Sequence, residues 1–69
     1  MENKIKELIE KYEKIIEDEQ KFSIMYEEIG NEEMMYNCMD KKRHYENVVK
    51  DLKEILNEYN FKKNNKWML

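Results

Sequence analysis

Residues 29–33, "IGNEE", decide the fold, because they combine a signal that ends one helix with a signal that begins another. Gly30 is the chain's only glycine, and it suits the left-handed conformation in which many helices end. Asn31 suits the N-cap of a following helix, and Glu32 and Glu33 suit the positive end of that helix's dipole. The stretch therefore predicts a turn at residues 30–31 between two helices.

The composition on both sides of this turn favours helix. The chain has no proline, and 42% of its residues are charged. Disorder is the competing interpretation of so much charge, but the regular spacing of apolar residues argues against it. With 69 residues the chain forms a single domain, and a two-helix unit of this size has too little core to be stable alone. We therefore expect a partner.

The segment before the turn, residues 3–29, predicts the first helix. Its apolar residues follow each other at alternating spacings of three and four, which is the heptad pattern of packed helices. Glu19 is the one polar residue in this row. The apolar members are Ile5, Leu8, Tyr12, Ile15, Phe22, Tyr26 and Ile29.

The segment after the turn, residues 32–60, repeats the pattern and predicts the second helix. Lys42 is the polar residue in this second row. Its apolar members are Met35, Cys38, Tyr45, Val49, Leu52, Leu56 and Tyr59. Residues 61–69 leave the periodicity and form a tail, whose apolar end at Trp67, Met68 and Leu69 fits either a frayed terminus or a segment that docks on the bundle.

Two helices joined by so short a turn form an antiparallel hairpin, in which facing residues have numbers that sum to about 61. This register places Glu19 opposite Lys42, the two polar residues of the apolar rows. We expect these two side chains to form an ion pair, with Asp18 next to Lys42 or its neighbour Lys41. A partly buried pair of this kind adds little net stability, but it selects the register of the hairpin.

Both helices carry more apolar surface than one partner helix covers. The sequence thus predicts an all-α fold, an antiparallel two-helix hairpin that dimerises into a four-helix bundle. The residues expected to pair in this homodimer are Ile5, Ile9, Ile16, Phe22, Met25, Val48, Leu52 and Ile55.

Nothing in the sequence predicts catalysis, a metal site or a cofactor. Cys38 and His44 are six positions apart, which places them on different faces of a helix, so they do not form a metal pair. Asp40 and His44 have acid–base spacing, but no nucleophile or phosphate-binding loop accompanies them. We expect a protein that is not an enzyme.

Nucleic acid is an open alternative as partner. The second helix and the tail carry Arg43, Lys50, Lys53 and several further lysines, and the hairpin layout is similar to that of plasmid-encoded RNA-binding hairpins. The net charge of −3 argues against this interpretation, because nucleic-acid binders usually present a basic stripe.

The turn end of the hairpin is the favoured contact surface for another protein. Methionine adapts to irregular partners, and exposed apolar patches generally mark contact surfaces. The residues expected to bind a partner are Ile24, Met25, Met34, Met35, Tyr36, Met39 and Arg43.

The expected function is that of a small interaction protein that binds a host protein or defence complex as an inhibitor or regulator. Its Lys-, Asn- and Ile-rich composition points to a low-GC bacterium or its phage. With no apolar run long enough to span a membrane and no signal peptide, we expect a cytoplasmic protein.

Overall fold

The structure, a computed structural model, describes the backbone of residues 2–64 and the side chains of residues 2–62. Two helices, α1 (Glu2–Glu28) and α2 (Glu32–Asn64), pack against each other along their length. The predicted helical hairpin is confirmed, and residues 2–64 contain no strand. Helix α2 continues four residues past the predicted end at residue 60. The predicted docking segment Trp67–Leu69 lies outside the described residues.

The turn forms as its sequence predicts. Gly30 adopts a φ of 78°. Its N–H donates to the Glu27 carbonyl at 3.1 Å, and the Asn31 N–H donates to the Tyr26 carbonyl at 2.9 Å. These two bonds form a Schellman motif, which satisfies carbonyls at the end of α1. The Asn31 side chain then caps α2 by accepting a hydrogen bond from the Met34 N–H at 3.2 Å.

The core of the hairpin is thin. Ile5, Ile9 and Val49 form its buried centre, each about 7% exposed. Four partly buried side chains pack around them: Tyr12, Ile16, Leu52 and Leu56. No side chain that the structure describes is fully buried. Since net stability comes mainly from apolar burial, this hairpin has little to offset the entropy of ordering its chain.

Contacts between the helices agree with the predicted antiparallel register to within about one helical turn. The rings of Tyr12 and Tyr45 stack with centroids 5.5 Å apart. Farther along, the Lys53 ammonium lies 3.7 Å from a Glu13 carboxylate oxygen.

The face that α1 turns toward α2 differs from the predicted row. Ile5 of the predicted row is buried, but so are Ile9 and Ser23 outside the row, whereas its members Phe22 and Ile29 are 47% and 67% exposed. Phe22 and Met39, which the predicted register places opposite each other because their numbers sum to 61, are 47% and 43% exposed and so do not form a buried contact. Ile9 and Ile16 each follow a row member directly, and the hairpin buries this adjacent stripe instead.

Within the described residues, neither α1 nor α2 contains an apolar stretch long enough to cross a membrane.

Candidate functional site

A cleft beside the turn is lined by both polar and apolar side chains. We call it the tip cleft; its volume is about 260 Å³. It is lined by Gln20, Ser23, Ile24 and Glu27 of α1 and by Met35, Met39, Lys42, Arg43 and Glu46 of α2. Ile24 and Met39 are each nearly half exposed, so apolar surface is open to a partner here.

The structure brings together four of the seven predicted partner-binding residues. Ile24, Met35, Met39 and Arg43 all line the tip cleft. Tyr36 is 56% exposed and lies outside it.

Met25 and Met34, which complete the predicted set, are exposed but do not line the cleft. Heptad positions place them on the other side of the seam between the helices. Residues seven apart lie on the same side of a packed helix. Met39 therefore lies on the side of Glu46, which lines the cleft, whereas Met34 lies on the side of Lys41, which does not.

Two small buried residues lie where the helices meet near the cleft. Ser23 and Cys38 are 6% and 5% exposed, and the hairpin register places them level with each other. The Ser23 hydroxyl donates to the Gln20 carbonyl of its own helix at 2.8 Å, which satisfies it without a partner across the interface. Sequence reasoning missed Ser23, although its heptad spacing from Ile9 and Ile16 was the available signal.

The polar residues that were predicted to pair across the hairpin have other neighbours. The Lys42 ammonium donates to the Gln20 side-chain carbonyl at 2.6 Å, and Asp18 pairs with Lys14 on its own helix at 3.5 Å. Glu19 lies beside Cys38. The predicted ion pair of Glu19 with Lys42 is thus replaced by a lysine–amide hydrogen bond one position away. Gln20 faces the cleft side of the seam, where Lys42 also points.

The Cys38 thiol is held in its neutral form. Burial raises its pKa above the ordinary value of 9.0, and a hydrogen bond to the Glu19 carboxylate and that carboxylate's negative charge raise it further. The nearby Lys41 ammonium acts in the opposite direction. Because the thiolate is the reactive form of cysteine, these surroundings lower the reactivity of Cys38 at neutral pH.

This shift predicts a loss of stability at alkaline pH. Above pH 9.0 the unfolded chain releases the thiol proton while the folded chain keeps it, so unfolding becomes more favourable as the pH rises toward the raised pKa. The variant Cys38→Ala should show a smaller fall in melting temperature between pH 8 and pH 10 than the parent protein. Equal falls for both proteins, measured by circular dichroism, would contradict this assignment.

A longer groove continues from the tip cleft along the same side of the hairpin. This charged groove, as we call it, has a volume of about 860 Å³ and shares Gln20, Lys42 and Glu46 with the cleft. Ile16 and Val49 contribute apolar lining. The charged lining residues are Lys21, Lys42, Lys50 and Lys53 and Glu13, Glu17, Glu46 and Glu54.

The charges of this groove are balanced and partly engaged with one another. Lys53 pairs with Glu13 across the helices, and Lys21 pairs with Glu17 at 3.5 Å along α1. Of the basic residues on α2 that the nucleic-acid alternative requires, Lys53 is paired with an acid, and Lys50 shares the groove with Glu46 and Glu54. The groove does not form the basic stripe that phosphate backbones require.

Within residues 2–62 no three His, Cys, Asp or Glu side chains are placed to hold a metal ion. What the surface does offer is a cleft that combines the apolar side chains of Ile24, Met35 and Met39 with a lysine, an arginine and two glutamates.

The structure places this chain among small proteins that fold as a helical hairpin. No protein-family model, no curated protein and no solved structure is similar enough to this chain to match it.

Proposed function

We propose that this protein is a small non-catalytic interaction module that binds another protein through the tip cleft. The observation that carries the proposal is the convergence of Ile24, Met35, Met39 and Arg43 on one cleft. In its concrete form, the module is a phage- or bacterium-encoded inhibitor or regulator of a host protein or defence complex. It acts as a homodimer built as a four-helix bundle.

The size and lining of the cleft support a protein partner. A volume of about 260 Å³ lies below the range of about 300–1,000 Å³ that is typical of small-molecule sites. It suits one or two apolar side chains projecting from a partner, the arrangement found at interface hot spots. The flexible side chains of Met35 and Met39 can adjust to the shape of such an anchor.

The rim charges add selectivity to this apolar contact. Arg43 carries a planar, permanently charged group that favours carboxylate partners, while Glu27 and Glu46 repel them on neighbouring edges. We therefore expect a partner segment with an apolar anchor flanked by both an acidic and a basic residue.

A pair of variants on α2 tests the proposal. Met39 and Tyr36 are 43% and 56% exposed, but only Met39 lines the cleft. In affinity capture from the host lysate, the same protein should be retained by the parent and by Tyr36→Glu and lost with Met39→Glu. Both variants should keep the parent's helical content, since both sites are exposed.

Two results would overturn the proposal. Capture that survives Met39→Glu would place the contact elsewhere on the surface. Salt-sensitive retention on heparin or DNA, with no protein captured, would favour the nucleic-acid alternative.

A further inference from the structure

The side of the hairpin opposite the tip cleft is apolar along its length. On α1, Leu8, Ile15 and Phe22 recur every seven residues, and Ile29 continues their row into the turn. On α2 the corresponding row is Met34, Lys41, Val48 and Ile55. We call these two rows the apolar flank. Phe22 and Ile55 are each 47% exposed on it.

Heptad geometry places this flank away from the charged groove. Residues seven apart on packed helices lie on one side. The groove contains Glu13 and Gln20 of α1, seven apart, and Glu46 and Lys53 of α2, seven apart. The rows that form the buried seam lie between these groove rows and the flank rows. A partner can therefore cover the flank without touching the tip cleft.

The two rows of the flank are nearly level with each other. In the predicted hairpin register, facing residues have numbers that sum to about 61, so residues whose numbers sum to 63 are level to within about half a helical turn. Leu8 is then close to the level of Ile55, and Ile15 close to that of Val48. Toward the turn, Phe22 is close to the level of Lys41. The flank thus forms stacked apolar layers with a single lysine in one of them.

The flank is large enough for a stable dimer. A helix of 27 residues is about 40 Å long at ~1.5 Å per residue, and two helices side by side are about 20 Å wide. The resulting face of roughly 800 Å² matches the area that each partner contributes to a stable protein–protein interface.

We propose that a second copy of this chain covers the apolar flank, with the two-fold axis running along the helices and both turns at the same end. This inference deepens the four-helix bundle of the proposed function and rests on it. In this arrangement α1 of one protomer lies over α2 of the other, and each layer meets the same layer of its partner. Leu8 then packs on the partner's Ile55, and Ile15 packs on the partner's Val48.

Charge complementarity at the outer edge of the flank selects this arrangement. The edge row of α1 contains Lys4, Lys11 and Asp18, each seven residues apart. The edge row of α2, in reverse order along the bundle, contains Glu58, Asp51 and His44. With both turns at one end, these rows place Lys4 opposite Glu58, Lys11 opposite Asp51 and Asp18 opposite His44. Because the dimer is two-fold symmetric, each of these pairs occurs twice.

The reverse arrangement, with the turns at opposite ends, is less complementary. Helix α1 would then lie over α1 of the second copy and α2 over α2. Lys4 would meet Met25 and Glu58 would meet Asn37, which leaves Lys11 with Asp18 and His44 with Asp51 as the opposite charges that meet. Lys41 would also lie over Ile55 rather than over the face of Phe22, where a cation–π contact is available.

The proposed dimer leaves both tip clefts open to solvent and places them at the same end of the bundle. A partner with two copies of its binding segment would therefore meet two sites at once. Such bivalent contact strengthens binding without any new type of contact.

A matched pair of isoleucine variants tests the surface. Ile55 and Ile24 are 47% and 45% exposed, but Ile55 lies on the apolar flank and Ile24 lines the tip cleft. Ile55→Glu should raise the dimer dissociation constant about a hundredfold or more, since two isoleucines per dimer lose their contact. Ile24→Glu should leave it within about threefold of the parent value, as measured by analytical ultracentrifugation.

Spin labels test the arrangement. A label at Glu32→Cys in a Cys38→Ala background lies next to the turn, so the proposed dimer gives a label–label distance below about 30 Å, whereas opposite turns would separate the labels by more than about 40 Å. A label at Lys14→Cys, near the middle of α1, should give a short distance in either dimer and serves as the control.

The outcomes separate this inference from the proposed function. A parent protein that stays monomeric would overturn this inference together with the homodimer of the proposed function, whereas a dimer that Ile55→Glu leaves intact would overturn the assigned surface alone. A long distance between Glu32→Cys labels would overturn the arrangement. Neither result affects whether Met39→Glu loses its partner, which tests the tip cleft alone.

Discussion

Replacing Val49 with aspartate should unfold the hairpin or lower its melting temperature by about 15 °C or more. Val49 is 7% exposed and belongs to the buried centre with Ile5 and Ile9. Aspartate has nearly the same volume, so the change adds a carboxylate without a large change in packing. Burying an unpaired carboxylate costs several kcal/mol, out of the roughly 5–15 kcal/mol that stabilise a typical domain. Each kcal/mol lowers the melting temperature of a chain this short by about 4–8 °C.

The control Val49→Asn separates the charge from the polarity. Burial favours the neutral form of a carboxyl group, so the aspartate variant should melt well below the asparagine variant at pH 7 and close to it at pH 4. Thermal unfolding followed by circular dichroism at one fixed protein concentration gives the comparison. If Val49→Asp melts within a few degrees of the parent at pH 7, Val49 is not in the core.

Replacing Gly30 with valine should have the second-largest effect, lowering the melting temperature by about 5–15 °C. Gly30 has a φ of 78°, a conformation that costs other residues about 1–2 kcal/mol and β-branched residues more. A Cβ atom at this position would have no neighbour within 4 Å, so crowding adds nothing and the loss comes from the backbone alone.

The control for this prediction is Gly30→Asn, because asparagine tolerates the left-handed region better than other side chains. It should retain most of the parent's stability, and Gly30→Ala should fall between the two variants. An equal melting temperature for all three would show that the turn does not depend on the left-handed conformation at this residue.

Local sequence signals predicted the turn and the helices because they act through the backbone of a few adjacent residues. Gly30 ends α1, and Asn31 caps α2, through hydrogen bonds within six residues of the chain. The predicted end of α2 at residue 60 was less accurate, since residues 61–64 lack the apolar periodicity used to define the helix but contain no proline or glycine to stop it.

The composition of the tip cleft was partly predictable for a similar reason. A short turn brings neighbouring residues of both helices together, so Ile24, Met35 and Met39 were expected near one another. Their separation from Met25 and Met34 was not expected, because it depends on which side of the seam each residue occupies. The Lys42–Gln20 contact was not predicted either, because it also depends on which side of the seam each residue occupies. Gln20 is one position away from Glu19, the partner that was predicted for Lys42.

The sequence by itself determined that this chain forms two helices, where they turn, and that they run antiparallel. Only the tertiary structure decided which stripe of α1 faces α2. Leu8 with Ile15 and Ile9 with Ile16 form two adjacent apolar stripes, about 100° apart around the helix, and either can be buried by the hydrophobic effect. The hairpin buries Ile9 against Val49, leaves Leu8 and Ile15 partly buried and leaves Phe22 and Ile29 exposed, because packing against α2 covers only one side of the helix.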